Sequence, residues 1–286
     1  LFSSFTYDAF VIALLMLGIA LFVTEYLSEE KIQTKRTMVS ILAMVVGCFS
    51  KAVYIPFLAL YWLMPKDKFY SRGQKNLFKA GIFVLLILMF ASFILPLIGN
   101  VTSGAEVGDY RGGDTSQTSQ LSVILGYPLT YTGVLLKSLG TTFASYFIGS
   151  KVLANFAYRG IYDGIGYFVV LLTMLFTFVT DFGMTEKIYD AQMKRKIFIM
   201  KIWNAVLIFG TTCLVWTALY LDFTPVGSMV INGVSPRYYL PLIFPLSLIF
   251  INQKVRCSMK LENYQSLIAF LMLIGTGISI YCLMLA

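Results

Sequence analysis

Histidine is absent from this chain, and charged residues are scarce. The 286 residues contain no histidine, and only 13% are aspartate, glutamate, lysine or arginine. A histidine-based catalytic triad and a histidine-containing metal site are therefore excluded, which leaves carboxylates as the candidate bases. About a quarter of the residues of a soluble domain are charged, so the composition also excludes an ordinary cytosolic fold.

Three further absences narrow the interpretation. The four cysteines (Cys48, Cys213, Cys257 and Cys282) share no metal-ligand spacing, so we interpret them as packing residues rather than as a disulfide or metal framework. No internal repeat is visible, which disfavours a transporter built from inverted repeats. The chain begins at Leu1 without the basic region of a signal peptide, so we expect it to belong to a longer protein.

Long apolar segments dominate what is present. Hydrophobic residues make up 58% of the chain, and runs of about 17–25 residues are long enough to cross a hydrocarbon core of about 30 Å. Their pattern is continuous rather than alternating, which indicates helices and not barrel strands. The clearest runs are 8–26, 77–98, 162–181, 197–221, 236–252 and 264–286. We therefore predict an all-α fold, a polytopic bundle of transmembrane helices.

The segment 38–64 decides the topology, because it can form one helix or two. As one helix it places Lys51 near the middle of the bilayer, which costs about 2.5–3.5 kcal/mol. As a tight hairpin of two short helices, 38–50 and 52–64, it turns at Ser50–Lys51 and gives about eight crossings. Sixteen of the 22 lysine and arginine residues then lie on one side, in the loops 27–37, 65–79, 182–201 and 253–263. The positive-inside rule assigns this side to the cytoplasm, so we adopt the hairpin.

The outer side carries the longest polar stretch of the chain. Residues 99–160 contain a glycine-rich polar loop followed by the apolar segment 121–148. We predict that this segment is a helix at the outer membrane surface; an extra membrane helix paired with a second short one is the alternative. The chain 1–286 is then a single transmembrane domain, with 99–160 as its extracytoplasmic loop and interfacial helix.

Charged residues on the outer face are the candidate site residues, since charges at a membrane boundary are unfavourable unless hydrated or paired. Arg237 lies at the outer end of a helix, where a guanidinium can bind a phosphate through two hydrogen bonds; a structural pair with Asp222 is the alternative. Lys51, at the hairpin tip, is a second candidate. Asp8 lies at the start of the first helix. Its carboxylate either caps that helix or belongs to the site. The predicted substrate-binding set also includes Arg111, Arg159 and Tyr238.

One pattern near the end of the chain carries a resemblance. After a Thr-Pro-x-Gly loop, the chain reads Gly-Val-x-x-Arg-Tyr-x-x-Pro-Leu, with the residues Thr224, Pro225, Gly227, Gly233, Val234, Arg237, Tyr238, Pro241 and Leu242. Together with SFTYDAFVIAL, SKAVYIPFLALYWLMPKDKF and QLSVILGYPLTY, in this order, the pattern resembles an uncharacterised family of bacterial polytopic membrane proteins. That family resembles the C-type membrane glycosyltransferases.

The resemblance implies a multi-pass protein of the bacterial inner membrane that takes a sugar from a polyprenyl-phosphate donor on the outer side. The acceptor would be a glycan of the cell envelope. Such enzymes carry their acidic residues in the first outer loop, and we expect this chain to begin after that region. The catalytic base is therefore unassigned, with Asp8 and Asp222 as candidates. A carboxylate would deprotonate the acceptor hydroxyl or orient a divalent metal on the leaving phosphate.

Other functions remain as alternatives. A transporter or flippase of a lipid-linked glycan is the first, and a polymerase or ligase of such glycans is another. We expect the lipid bilayer as a partner and no nucleic acid, because most of the positive charge lies in short loops between apolar spans, where it sets orientation.

Overall fold

The computed structural model describes residues 7–103, 114–156, 160–180, 191–250, 255 and 257–285. In these ranges the α-helices are α1 (Tyr7–Leu27), α2 (Thr34–Cys48), α3 (Arg72–Ser103), α4 (Gln117–Gly126), α5 (Pro128–Phe147), α6 (Ser150–Leu153), α7 (Ile165–Val179), α8 (Ala191–Phe223), α9 (Leu240–Phe250) and α10 (Leu261–Leu285). The 3₁₀ helices are Ala52–Leu63, Lys66–Lys68 and Pro236–Tyr239. The predicted all-α bundle is confirmed.

Four helices of the described part, α1, α3, α8 and α10, are long and apolar enough to cross a membrane. The 3₁₀ helix Ala52–Leu63 and helix α7 are shorter apolar segments. In the described residues, each predicted apolar run lies on helical structure, and the run 236–252 divides into the 3₁₀ turn Pro236–Tyr239 and α9. The helices α3 and α8 extend beyond their runs, because their first turns continue into polar, basic sequence that an apolar window leaves out.

The segment between α1 and α3 is the predicted hairpin. Helix α2 ends at Cys48 and the 3₁₀ helix starts at Ala52. The residues before and after the hairpin lie at the same end of the bundle. The N–H of Ile32, before α2, donates to the carbonyl of Lys68, after the second arm (2.9 Å). The second arm is a 3₁₀ helix that contains Pro56, a residue that cannot donate a backbone hydrogen bond.

Close contacts and internal hydrogen bonds hold the hairpin against α1. A Cβ atom on Gly47 would lie 3.1 Å from the Cβ of Leu14, so glycine allows α2 to approach α1. The Ser40 hydroxyl donates to the carbonyl of Gly18 (2.6 Å), and the Tyr61 hydroxyl donates to Ser40 Oγ. The hydroxyls of Ser40 and Tyr61 therefore each have a partner inside the bundle, as polar groups inside a membrane require.

Helix α5 contacts the last third of α8 through tyrosines near its two ends. The Tyr131 hydroxyl lies 2.6 Å from Thr217 Oγ1, and the Tyr146 ring stacks on the Trp216 ring with centroids 6.3 Å apart. Tyr131 and Tyr146 are about 22 Å apart along their helix, yet they contact neighbouring residues of α8.

Helices α7 and α10 form a tight pair. A Cβ atom on Gly275 would lie 2.9 Å from the carbonyl oxygen of Gly166, so the two backbones meet where neither residue has a side chain. The Ser279 hydroxyl, also buried there, donates to the Gly275 carbonyl (2.8 Å). Small residues at a helix contact are typical of association within membranes.

Candidate functional site

The turn of the hairpin carries a cluster of charged residues, which we call the Asp8 cluster. It consists of Asp8 in the first turn of α1, Lys51 in the hairpin turn, and Arg237 and Tyr238 in the 3₁₀ turn before α9. The Lys51 ammonium donates to Asp8 Oδ1, and Arg237 Nε lies 3.9 Å from Asp8 Oδ2. Three segments distant in sequence therefore place two cations around one carboxylate.

Tyr238 contributes its ring to both cations. Lys51 Nζ lies 4.3 Å from the ring centroid and Arg237 Cζ lies 5.7 Å from it, distances at which cation–π attraction is effective. The carbonyl of Tyr238 accepts a hydrogen bond from the buried Tyr54 hydroxyl (2.6 Å). The 3₁₀ turn that carries Arg237 is thus fixed to the second arm of the hairpin.

Burial distinguishes the members of the cluster. The side chains of Asp8 and Lys51 are each 7% exposed, whereas that of Arg237 is 52% exposed. Burial lowers the pKa of the Lys51 ammonium, and its hydrogen bond to Asp8 and the Asp8 charge oppose this shift. Among the described residues the cluster has two cations and one carboxylate, and Arg237 is its exposed cation. It is therefore suited to an anionic group that approaches from outside the bundle.

The loop before Arg237 explains the residues of the Thr-Pro-x-Gly pattern. The Thr224 hydroxyl donates to the carbonyl of Leu219 (3.1 Å) and accepts from the N–H of Asn232 (3.0 Å), so it closes the loop. The N–H of Ser228 donates to the Pro225 carbonyl in a turn, and Gly227 has a φ of 74° there, a conformation that favours glycine.

Gly233 has a second left-handed backbone conformation, with a φ of 78°. A Cβ atom at this position would lie 2.5 Å from the ring of Phe223, so a side chain is excluded by space as well as by backbone conformation. The loop can therefore return closely over the end of α8. This return delivers Pro236 as the first residue of the 3₁₀ turn, a position that suits proline.

Aromatic residues that the sequence analysis did not identify contact the residues on either side of Arg237 and Tyr238. Trp216 Nε1 donates to the hydroxyl of buried Tyr239 (2.5 Å), and the Tyr146 hydroxyl donates to the Val234 carbonyl (3.3 Å). Lys151 Nζ lies 6.0 Å from the Tyr146 ring, which brings a further cation to this end. The signal was weak, because aromatic residues are abundant along the whole chain.

An apolar groove lies between α5, α8 and α9. Its volume is about 500 Å³, and its walls include Leu136, Phe143, Ile208, Phe209, Leu246 and Ile249. Leu136, Phe143 and Phe209 are each more than half exposed, so the groove opens to the outside of the bundle. Since α9 directly follows the turn with Arg237, Leu246 lies about 15 Å further along the helix. The groove therefore lies beyond the Arg237 turn along α9, towards the middle of the bundle's length.

The structure brings together four of the predicted site residues and leaves the others apart or undescribed. Asp222, at the end of α8, accepts a hydrogen bond from Gln117 Nε2 on α4 (2.7 Å). Arg111 and Arg159 lie outside the described residues. Within the described ranges, no three aspartate, glutamate or cysteine side chains form a group that could hold a metal ion.

A comparison with protein families finds one match that covers most of the chain. The model of a family described as "Predicted membrane protein (DUF2142)" matches residues 1–246, which include every member of the Asp8 cluster. No curated protein and no solved structure matches the chain.

Proposed function

This chain belongs to the DUF2142 family of predicted membrane proteins, and from that starting point we propose that it is a membrane glycosyltransferase, or part of one. It would take a sugar from a polyprenyl-phosphate donor on the outer face and pass it to a cell-envelope glycan. One observation carries this proposal: a half-exposed arginine, backed by a buried Lys–Asp pair, directly precedes the helix whose later turns line an open apolar groove.

The donor phosphate would bind at Arg237. A guanidinium matches the oxygens of a phosphate with its planar fork of N–H groups, and charge-assisted hydrogen bonds of this kind are strong. Asp8 and the Tyr238 ring hold the side chain in place, so less conformational entropy is lost when the phosphate binds. Lys51 adds positive charge behind it.

The polyprenyl chain would lie in the groove between α5, α8 and α9. The groove is lined by aliphatic and aromatic side chains and opens on the side where a lipid would enter. Because the groove wall on α9 continues from the Arg237 turn, one donor molecule can place its phosphate at the cluster and its chain along the helices. This geometry requires both features together, which distinguishes it from a site for a soluble anion.

In the reaction, the acceptor hydroxyl attacks the anomeric carbon of the sugar, and the bond to the polyprenyl-phosphate oxygen breaks. Negative charge develops on that leaving oxygen, where Arg237 would stabilise it. A carboxylate takes the proton of the acceptor hydroxyl. Asp8 is committed to Lys51 and Arg237, so we assign it a positioning role, and Asp222 remains the candidate base of this chain.

The test is sugar transfer by the full-length protein in lipid nanodiscs. Radiolabelled polyprenyl-phosphate sugars would be supplied with envelope glycan acceptors, and Arg237→Ala would be compared with Lys137→Ala, which removes an exposed cation from α5. We expect transfer by the natural protein and by Lys137→Ala, with a loss in Arg237→Ala. Failure with every donor, while a related enzyme works under the same conditions, would overturn the proposal.

Movement of the lipid-linked sugar across the bilayer without chemical change would favour a flippase instead. Transport of a charged headgroup needs a polar path through the bundle. In the described part of the chain, the buried charged side chains are Asp8, Glu25, Lys51 and Lys68, and they lie at the two ends of α1 rather than midway. This distribution supports transfer at one face over passage between faces.

A further inference from the structure

A second pocket lies at the opposite end of the bundle, where the segments that carry Lys31, Asp67 and Lys196 contact one another. Its volume is about 440 Å³, and its walls include Lys66, Asp67, Phe69, Tyr70, Arg72 and Lys75. We propose that this basic pocket binds the headgroup phosphate of an anionic phospholipid. The proposal is independent of sugar transfer, because the pocket and the Asp8 cluster lie at different ends of α1.

The charge of the pocket is positive and available. Lys66, Arg72 and Lys75 take part in no salt bridge of the described part of the chain. Asp67, the one carboxylate in the wall, has its Oδ2 atom 3.2 Å from Lys196 Nζ. The pocket therefore presents three cations to a ligand, while its single negative charge is already neutralised by α8.

The wall of the pocket is held rigidly by two other lysines. Lys31 Nζ donates to the carbonyls of Asp67 (2.8 Å) and Phe69 (3.0 Å). Lys68 Nζ donates to Ser28 Oγ (2.5 Å) and to the Glu30 carbonyl (2.9 Å). Because these bonds fix the 66–70 backbone before any ligand arrives, binding requires little ordering of the protein.

The start of α3 adds backbone donors to this site. Ser71 Oγ accepts from the N–H of Gln74 (3.1 Å), which satisfies one of the first-turn amides. The N–H groups of Arg72 and Gly73 have no acceptor within the helix, and the helix dipole places partial positive charge there. These donors and the three cationic side chains favour the same kind of ligand, a phosphate.

The surroundings of the pocket indicate a lipid rather than a soluble anion. Tyr70 is 77% exposed and Leu77 is 76% exposed, and the Trp62 ring stacks on that of Phe83 on the outside of α3 (centroids 6.3 Å apart). Exposed tyrosine and tryptophan residues are enriched at the level of lipid headgroups. A phospholipid can place its phosphate in the pocket and its chains along Leu77 and the apolar face of α3.

The experiment is native mass spectrometry of the full chain in detergent, with phosphatidylglycerol or phosphatidylcholine added at equal concentration. The test variant is Lys66→Gln/Arg72→Gln/Lys75→Gln. The matched control, Lys35→Gln/Lys194→Gln/Lys260→Gln, removes three exposed cations of the same end that do not line the pocket. We expect the affinity of the test variant for phosphatidylglycerol to fall by about tenfold or more. The affinity of the control should change by about twofold at most.

Three results would overturn the proposal. Equal losses in both triple variants would mean attraction to the whole basic end, without a site. Equal binding of phosphatidylcholine would remove the requirement for an anionic lipid. Displacement of phosphatidylglycerol by equimolar inorganic phosphate would identify a soluble anion as the ligand. Should the triple variant unfold at a lower temperature in lipid-free detergent, the single change Lys75→Gln repeats the comparison, and a loss with unchanged stability supports the pocket.

Discussion

The two ends of α1 carry clusters of similar composition and different connections. At one end lies the Asp8 cluster; at the other lies what we call the Glu25 cluster, formed by Glu25, Arg36 and Lys68. Each has a buried carboxylate, with side chains 7% exposed for Asp8 and 1% exposed for Glu25, and a buried lysine. In each, an arginine side chain is more exposed than the carboxylate, at 52% for Arg237 and 32% for Arg36. Composition alone therefore does not separate the two ends.

The partners of the charged groups do separate them. In the Glu25 cluster, Oε1 accepts from the N–H of Gln33 (3.0 Å), and Lys68 donates to the Glu30 carbonyl and to Ser28 Oγ. These bonds connect side chains to the loop that follows α1, so they shape that loop. The Glu25 cluster also contains one pair of charged side chains, Arg36 Nη1 and Glu25 Oε2, which lie 3.5 Å apart. In the Asp8 cluster, two cations from separate segments lie against the one carboxylate. We infer that the first cluster is structural and that the second is available to a ligand.

The most disruptive test of this comparison is Asp8→Ala. The change leaves the Lys51 ammonium buried without its carboxylate, and breaking a buried pair in this way costs about 3–5 kcal/mol of the free energy of unfolding. Unfolding in mixed micelles would measure it. The double variant Asp8→Ala/Lys51→Met should recover much of the loss, because the buried charge is removed. A single-variant cost below about 1 kcal/mol would show that water reaches Lys51.

Lys68→Met is expected to be the next largest change. It removes charged hydrogen bonds to Ser28 and Glu30 from a residue that is 1% exposed, at a cost of about 2–3 kcal/mol. The control Lys66→Met alters an exposed neighbour and should stay within about 0.5 kcal/mol. Similar melting temperatures for the two variants would contradict a structural role of the Glu25 cluster.

Arg237 should affect binding more than stability. We expect Arg237→Ala to weaken binding of a polyprenyl phosphate by about 1.5–3 kcal/mol, the contribution of a charged hydrogen bond. Arg237→Lys should lose less, because lysine keeps the charge without the planar fork. Titration with the lipid phosphate would measure both, and the melting temperature should change little. If Arg237→Ala instead unfolds the protein while each folded molecule binds normally, Arg237 has a structural role. The Asp8 cluster would then be structural, like the Glu25 cluster.

The smallest perturbation tests which end faces outward. Single cysteines would replace Ser116, Asn232, Ser71 and Gln192 in a background without the natural cysteines. An impermeant thiol reagent applied from outside should label the first two positions and miss the last two, since they lie at opposite ends of the bundle. Strong labelling at Ser71 would exchange the two faces and move the proposed sugar site to the cytoplasm.

The sequence placed Lys51 and Arg237 in one layer of the bundle, but it did not predict their contacts. The charge distribution indicated a hairpin with Lys51 at its tip, and the helix start at Pro236 placed Arg237 in the same layer. The Asp8–Lys51 pair was not predicted, because it joins residues 43 apart in sequence through the packing of α1 on the hairpin. For Asp8 the helix dipole favoured capping over a site role, and only tertiary structure decides which partner the carboxylate takes.

The second arm of the hairpin shows a different limit. Its apolar run predicted a short helix with bounds close to Ala52–Leu63, but not its 3₁₀ form. The tighter winding depends on Pro56 and on contacts such as the hydrogen bond from Trp203 Nε1 to the Ala59 carbonyl (3.0 Å). That contact comes from α8, far along the chain, and no local pattern contains it.

The short hairpin also has a consequence for how the protein is made. Its 15-residue first arm spans about 22 Å and its 12-residue second arm about 24 Å, each less than the hydrocarbon thickness of about 30 Å. Neither arm is long enough to move from the translocon into the bilayer by itself. The turn between the arms also carries a lysine. Helix α1, synthesised first, already holds the carboxylate that neutralises Lys51. We therefore expect the two arms to enter the bilayer together, after α1 has inserted, and to pack against α1 as they do so.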